Sequence, residues 1–395
     1  MAGKSTTDDR KKAAAYLEAL QRSAYEGLEA DDRARLHSWR HIDGARRERF
    51  IREFYDLVTP GEPFEAFRAE CIELIKGASS HGGPYGGGFS RTVDTISSQI
   101  ENILRMLPLP APQPMMFGAL PTGRVNGMAV RVPDSAYVLI LIHDGLFAFA
   151  GILADIVARA FPCTPWEDRK LRFSVGPKIC VRELRADPQI GQQFLELLVA
   201  YLIWGNPRLA PRHLPEQRYL GLSSALRQSM ETFVLGHEYG HVIAGHMGGG
   251  PTRRRALAST HVDEIATNWF QELEADVRGL ELVVNVMMGQ NYDLALGYWG
   301  TDLFFRVIDV VEQGVSILRT GSPEVGVSHT HPPPALRNEN ILEVLKRSVS
   351  PEEAEMPIIL CRSLEAIVEA LWADAEPHLR EMHLAGVGLA PIWAA

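Results

Sequence analysis

The sequence predicts an α+β fold that is predominantly helical. Three observations carry that expectation. Apolar residues recur at three- and four-residue spacing over most of the chain, as they do on one face of a helix. Two short runs rich in β-branched residues, Val125 to Val132 and Tyr137 to Ile142, flank Pro133-Asp134-Ser135 and read as a small hairpin. With 46% hydrophobic and 23% charged residues in 395, the chain has the composition of a globular protein able to bury a large core.

Taken in order, the polar start MAGKSTTDDRKK precedes no apolar core segment, so no secretory signal is expected. Residues Lys11 to Val58 and Phe64 to Lys76 are charge-rich with apolar positions at helical spacing. The glycine-dominated SSHGGPYGGGFS reads as a loop, and Val93 to Leu107 as a further helix. The proline cluster PLPAPQP then disfavours helix and is the best candidate domain boundary. It divides an N-terminal helical region, 1–107, from a second unit, 108–395. Gly191 to Trp204 is apolar around nearly its whole circumference and reads as a buried helix. Four more helices are expected at about Leu222 to Ala244, Val262 to Met288, Asp302 to Leu318 and Pro351 to Met382.

A net charge of −9 disfavours general nucleic-acid or anionic-membrane binding, and no run of apolar residues is long enough to span a bilayer. Cys71, Cys163, Cys180 and Cys361 are scattered without CxxC spacing, which fits a reducing compartment and a cytosolic setting.

The chemistry concentrates in HEYGH, residues His237 to His241. Four residues advance a helix by about 400°, so both imidazoles emerge on one face, at the spacing of two nitrogen ligands for one zinc ion. Glu238 beside the first ligand is then the general base for a metal-bound water. A third histidine ten residues after His237 is excluded, because that position is Met247. The next helix carries WFQELEADVRGLELV, where Glu272 and Asp276 share a face; Glu272 is the expected third ligand and Asp276 the partner of a ligand histidine's outer N–H. Glu274 is expected to point elsewhere. His246, half a turn out of phase with His237 on a continuous helix, is expected at the surface or capping the helix near Gly248-Gly249-Gly250. His331, ahead of three prolines in SHTHPPPALRNENI, is presented from a stiff loop, where it reads as a surface histidine, as a fourth ligand or as an oxyanion donor.

HEYGHVIAGH, ELEAD and THPPPALR, in that order, resemble the M48-type zinc metallopeptidases. The resemblance covers roughly Asn126 to Arg337 and implies a zincin-like core, zinc on His237, His241 and Glu272, Glu238 as base, Asp276 behind a ligand, and His331 and Arg337 as the late His and Arg of the pattern. Asn126-Gly127-Met128-Ala129 with YVLILIHDGL resembles the family's substrate-pairing strand, which implies that a peptide substrate adds to its edge. About 90 residues follow before the HExxH helix, where the family has a short connection, so 161–223 is expected to be an insertion. The implied activity is cytosolic endopeptidase. The alternatives are a binding or regulatory module that keeps the fold without turnover, and a zinc hydrolase of a non-peptide amide or ester. Restraint is expected from His331, from the N-terminal region or from the loop carrying Arg253 to Arg255.

Overall fold

A computed structural model of the chain describes residues 7–30, 32–33, 45, 48–49, 51–52, 55–56, 63–80, 85–86, 88–106, 113–165, 171–211, 213, 215–247, 252–257, 260–265, 267–326 and 331–393. It is predominantly helical with a small sheet, an α+β arrangement. Helices α1 (Thr7–Glu26), α2 (Phe64–Ser80) and α3 (Ser90–Met106) precede the sheet. Most of the expected helical stretch between Glu26 and Val58, and the core of the proline cluster at 107–112, lie outside the described residues.

Strands β1 (Met115–Leu120), β2 (Gly127–Arg131) and β3 (Val138–His143) follow. The expected hairpin forms: β2 pairs antiparallel with β3, from Gly127 opposite Ile142 to Arg131 opposite Val138. β1, which the sequence reading did not assign, runs parallel to β3 on its other side. Side chains alternate across the sheet. Val138, Ile140, Ile142 and Ala129 join the main helical core, whereas Leu139, Leu141, Met128 and Val130 pack on Ala13, Leu20 and Ala24 of α1. Helix α1 therefore packs on the face of the sheet opposite the main helical core. Val93, Ile96 and Ile100 of α3 belong to the main core.

Helix α4 (Asp144–Arg159) starts directly after β3 and is buried over most of its circumference. With only Asp144, Asp155 and Arg159 as charged residues, it carries no polar stripe from which a helical period could be read. A two-stranded hairpin, β4 (Cys163–Pro165) and β5 (Leu171–Phe173), and helices α5 (Pro177–Ala186) and α6 (Pro188–Leu202) occupy most of the segment read as an insertion. Helix α7 (Gln217–Ile243) then runs through the centre of the molecule. The next segment corrects the sequence reading. Residues 262–268 do not belong to the following helix; they include part of β7 (Thr260–Ile265), paired with β6 (Thr252–Leu257) and touching β2 at Val130 opposite Glu264. Asn268 and Gln271 form a reciprocal capping box, and α8 (Trp269–Gly289) begins there. The last helices are α9 (Leu294–Thr320), α10 (Pro334–Ser348) and α11 (Pro351–Leu384). The proline run after His331 thus opens a helix, with Pro334 at its first position, where a missing N–H costs nothing. Among the described residues no helix is long and apolar enough to cross a membrane.

Candidate metal centre

The contact between α7 and α8 positions the site. Gly240, inside HEYGH, faces Ala275 so closely that a Cβ there would lie 2.7 Å from the Ala275 carbonyl oxygen, and a Cβ on Gly279 would lie 2.9 Å from the His237 backbone nitrogen. Small residues on both helices bring the backbones together, as ridges of larger side chains would not. Tyr239 fixes α7 from its other side. It is buried, its ring stacks on Phe117 of β1 at 4.7 Å, and its hydroxyl reaches Glu101 of α3 at 3.4 Å.

With the helices at this separation, His237, His241 and Glu272 each offer a donor atom within 4.8 Å of the others, a group that could hold a metal ion. The two Nε2 atoms are 3.1 Å apart. His237 Nε2 is 3.6 Å from Glu272 Oε2, and His241 Nε2 is 3.4 Å from Glu272 Oε1. Glu272 is 2% exposed; Oε1 accepts from the Thr267 hydroxyl, while Oε2 is buried without a hydrogen-bond partner. Leaving a buried carboxylate oxygen unpaired costs about 1–3 kcal/mol or more, which a cation at this point would offset.

The other expected residues surround the cluster. Asp276 Oδ1 accepts from His237 Nδ1 at 2.9 Å, and Arg337 clamps Asp276 with two hydrogen bonds, at 2.6 and 2.8 Å. Arg337 also lies over the Phe305 ring at 4.8 Å and 3.6 Å from Glu272 Oε2. His331 faces the cluster from the head of α10, its Nε2 3.7 Å from Glu272 Oε2, with nearly half its side chain exposed. Glu238 is 8% exposed and points toward the start of β2: a Cβ on Gly127 would lie 2.9 Å from Glu238 Oε1. The sheet and the ligand helix therefore meet at the carboxylate expected to act as base.

Two residues that the sequence reading set aside also belong here. His246 is not at the surface; it is 9% exposed, with Nδ1 3.0 Å from His241 Nδ1. Glu274 points away from the His-His-Glu cluster, as expected, and toward His246, its Oε2 3.1 Å from His246 Nε2. The signal for this lay in Gly245, which ends the helix before the glycine run.

Charge in the site follows from burial and pairing. Burial pushes Glu272 toward its neutral form, but the charges of His237, His331 and Arg337 around it help hold its carboxyl well below the usual range. Asp276 is held low in the same way, with Arg337 outweighing burial. Burial lowers His241 to about 4, so its ring is neutral. At His237 burial acts in the same direction, but the bond to Asp276 and the charges of Asp276 and Glu272 outweigh it and raise the imidazole. No family model, curated protein or solved structure matches the chain.

Proposed function

We propose that this chain is a zinc-dependent endopeptidase with a zincin-like core, in which His237, His241 and Glu272 hold the metal and Glu238 is the general base. The observation that carries the reading is the donor spacing. A tetrahedral zinc with bonds of about 2.0–2.1 Å has donor–donor edges of roughly 3.3–3.4 Å. The His237 and His241 Nε2 atoms lie 3.1 Å apart, with Glu272 Oε2 3.6 Å from the first and Glu272 Oε1 3.4 Å from the second, so two imidazole nitrogens and one carboxylate stand at separations close to those edges. Bound zinc supplies Lewis acidity and a water that ionises near neutral pH, at roughly 7.

The chain's own residues supply the rest. Glu238 takes the proton of the attacking water on its carboxylate and returns it to the leaving amine. His331, exposed on the rim, donates to the oxygen that develops charge at the scissile carbonyl. Substrate pairs with β2. Strand β3 occupies one edge of β2, but among the described residues β7 meets the other only at Val130, so residues 127–129 offer backbone groups to an extended peptide. The missing side chain at Gly127 keeps that edge close to Glu238. This strand edge favours a peptide substrate over a small amide or ester. The four cysteines are free thiols, which agrees with a cytoplasmic setting.

The test is bound metal and peptide hydrolysis in wild type, Glu272→Ala and Glu238→Gln. One zinc per chain is expected in wild type and Glu238→Gln and none in Glu272→Ala, with hydrolysis of a peptide library reduced at least ~100-fold in Glu238→Gln. Folded wild type that takes up no zinc on reconstitution overturns the reading.

A further inference from the structure

The far side of His241 holds a pair of residues with no part in the chemistry above. Helix α7 does not run on into the glycines at 248–250. Its cap is Ala244, Gly245 adopts a left-handed φ of +73°, and the N–H groups of Gly245 and His246 bond back to the carbonyls of Val242 at 3.1 Å and His241 at 2.9 Å. This double bond pattern is a Schellman reversal. It folds the chain back on the last turn and lays the His246 ring against His241, with Glu274 of α8 on the other side of His246.

We propose that Glu274 and His246 form a positioning relay that fixes His241 in the tautomer whose bare Nε2 faces His237 and Glu272. A carboxylate only accepts, so the 3.1 Å contact requires the proton of His246 on Nε2. The Nδ1 of a neutral imidazole protonated on Nε2 is an acceptor, so the 3.0 Å contact requires His241 to donate from Nδ1. His241 Nε2 is then left with its lone pair, 3.1 Å from His237 Nε2 and 3.4 Å from Glu272. The purpose of the relay rests on the metal reading above, but the tautomer is a property of the metal-free chain, so the two stand or fall separately.

The experiment is long-range proton–nitrogen NMR of histidine-labelled, metal-free, full-length protein, with zinc affinity from chelator competition. Wild type is expected to show His241 protonated on Nδ1. Glu274→Ala, at a side chain already 38% exposed, is expected to keep the fold, to mix in the Nε2-protonated form and to lose roughly 10- to 100-fold in zinc affinity. Glu274→Gln, which retains an acceptor oxygen, is expected to restore both. A His241 protonated on Nε2 in wild type, or a tautomer unmoved by Glu274→Ala, overturns the relay whether or not zinc binds. A tautomer that shifts while zinc affinity stays constant overturns its positioning role.

Discussion

His237 and His241 lie one turn apart on α7, yet the groups behind them differ in charge, burial and reach. Behind His237 stand a carboxylate and a guanidinium, Asp276 fully buried and Arg337 14% exposed, brought together from α8 and α10 across 61 residues of sequence. Behind His241 stand an imidazole and a carboxylate, His246 and Glu274, which lie within 28 residues of each other and end at a partly exposed side chain. The first arm is an ion pair taken out of water, so it holds the fold as well as the ligand. The second is a chain of hydrogen bonds that reaches solvent, and its loss leaves no buried charge alone. The two outer partners therefore differ in what their removal is expected to do: one costs stability as well as the proposed metal site, the other the proposed metal site alone.

Arg337→Ala tests the first half of that contrast and carries the largest expected effect. It strands the Asp276 carboxylate in the core and removes the side chain that joins α10 to α8, at a cost of about 3–5 kcal/mol. Denaturant unfolding of the metal-free protein measures it. A loss comparable to that of Glu274→Ala, which is expected to cost less than about 1 kcal/mol, would erase the distinction between the arms. Gly240→Ala acts on both arms at once. Its new methyl group meets the Ala275 carbonyl and pushes α8 outward, carrying Glu272, Glu274 and Asp276 together. Overpacking of this kind costs about 1–3 kcal/mol. Zinc affinity is expected to fall with stability, and chelator competition run beside unfolding checks whether the two losses come together.

The difference between the arms also marks what could be read from sequence. HEYGH and the Glu272–Asp276 pair were legible because each lies within one turn of one helix, where spacing fixes direction. The contact of Arg337 with Asp276 depends on tertiary packing and has no local signature; only its place in THPPPALR pointed to it. His246 was misplaced because the helix was extended to the glycine run, whereas Gly245 alone reverses the chain. The strand at Thr260–Ile265 overlaps the start of the helix expected from about Val262, and the Asn268–Gln271 box marks where α8 begins instead. β1, MMFGAL, has no polar alternation, and α4 has too few polar residues to show a stripe, so neither carries a period of its own.

A third carboxylate sharpens the comparison, because α7 buries one without any such arm. Glu231 is 5% exposed, and its nearest cation, Arg227, stands 3.9 Å away. Burial pushes its carboxyl up to about 7, only partly offset by Arg227, whereas Arg337 holds Asp276 low. The two groups then act on stability with opposite sign. Asp276 binds its proton less readily folded than unfolded, so it stabilises above its unfolded value of roughly 3.9 and loses that contribution as pH falls toward the folded value. Glu231 binds its proton more readily folded than unfolded, so its ionisation costs stability as pH rises from roughly 4.5 through about 7. Glu231→Gln is therefore expected to stabilise the protein by about 1–3 kcal/mol near pH 8 and to be close to neutral near pH 5. Unfolding of the variant and wild type at the two pH values measures this difference. Equal effects at both would mean that Glu231 has a partner as effective as Arg337, and that burial alone does not separate it from Asp276.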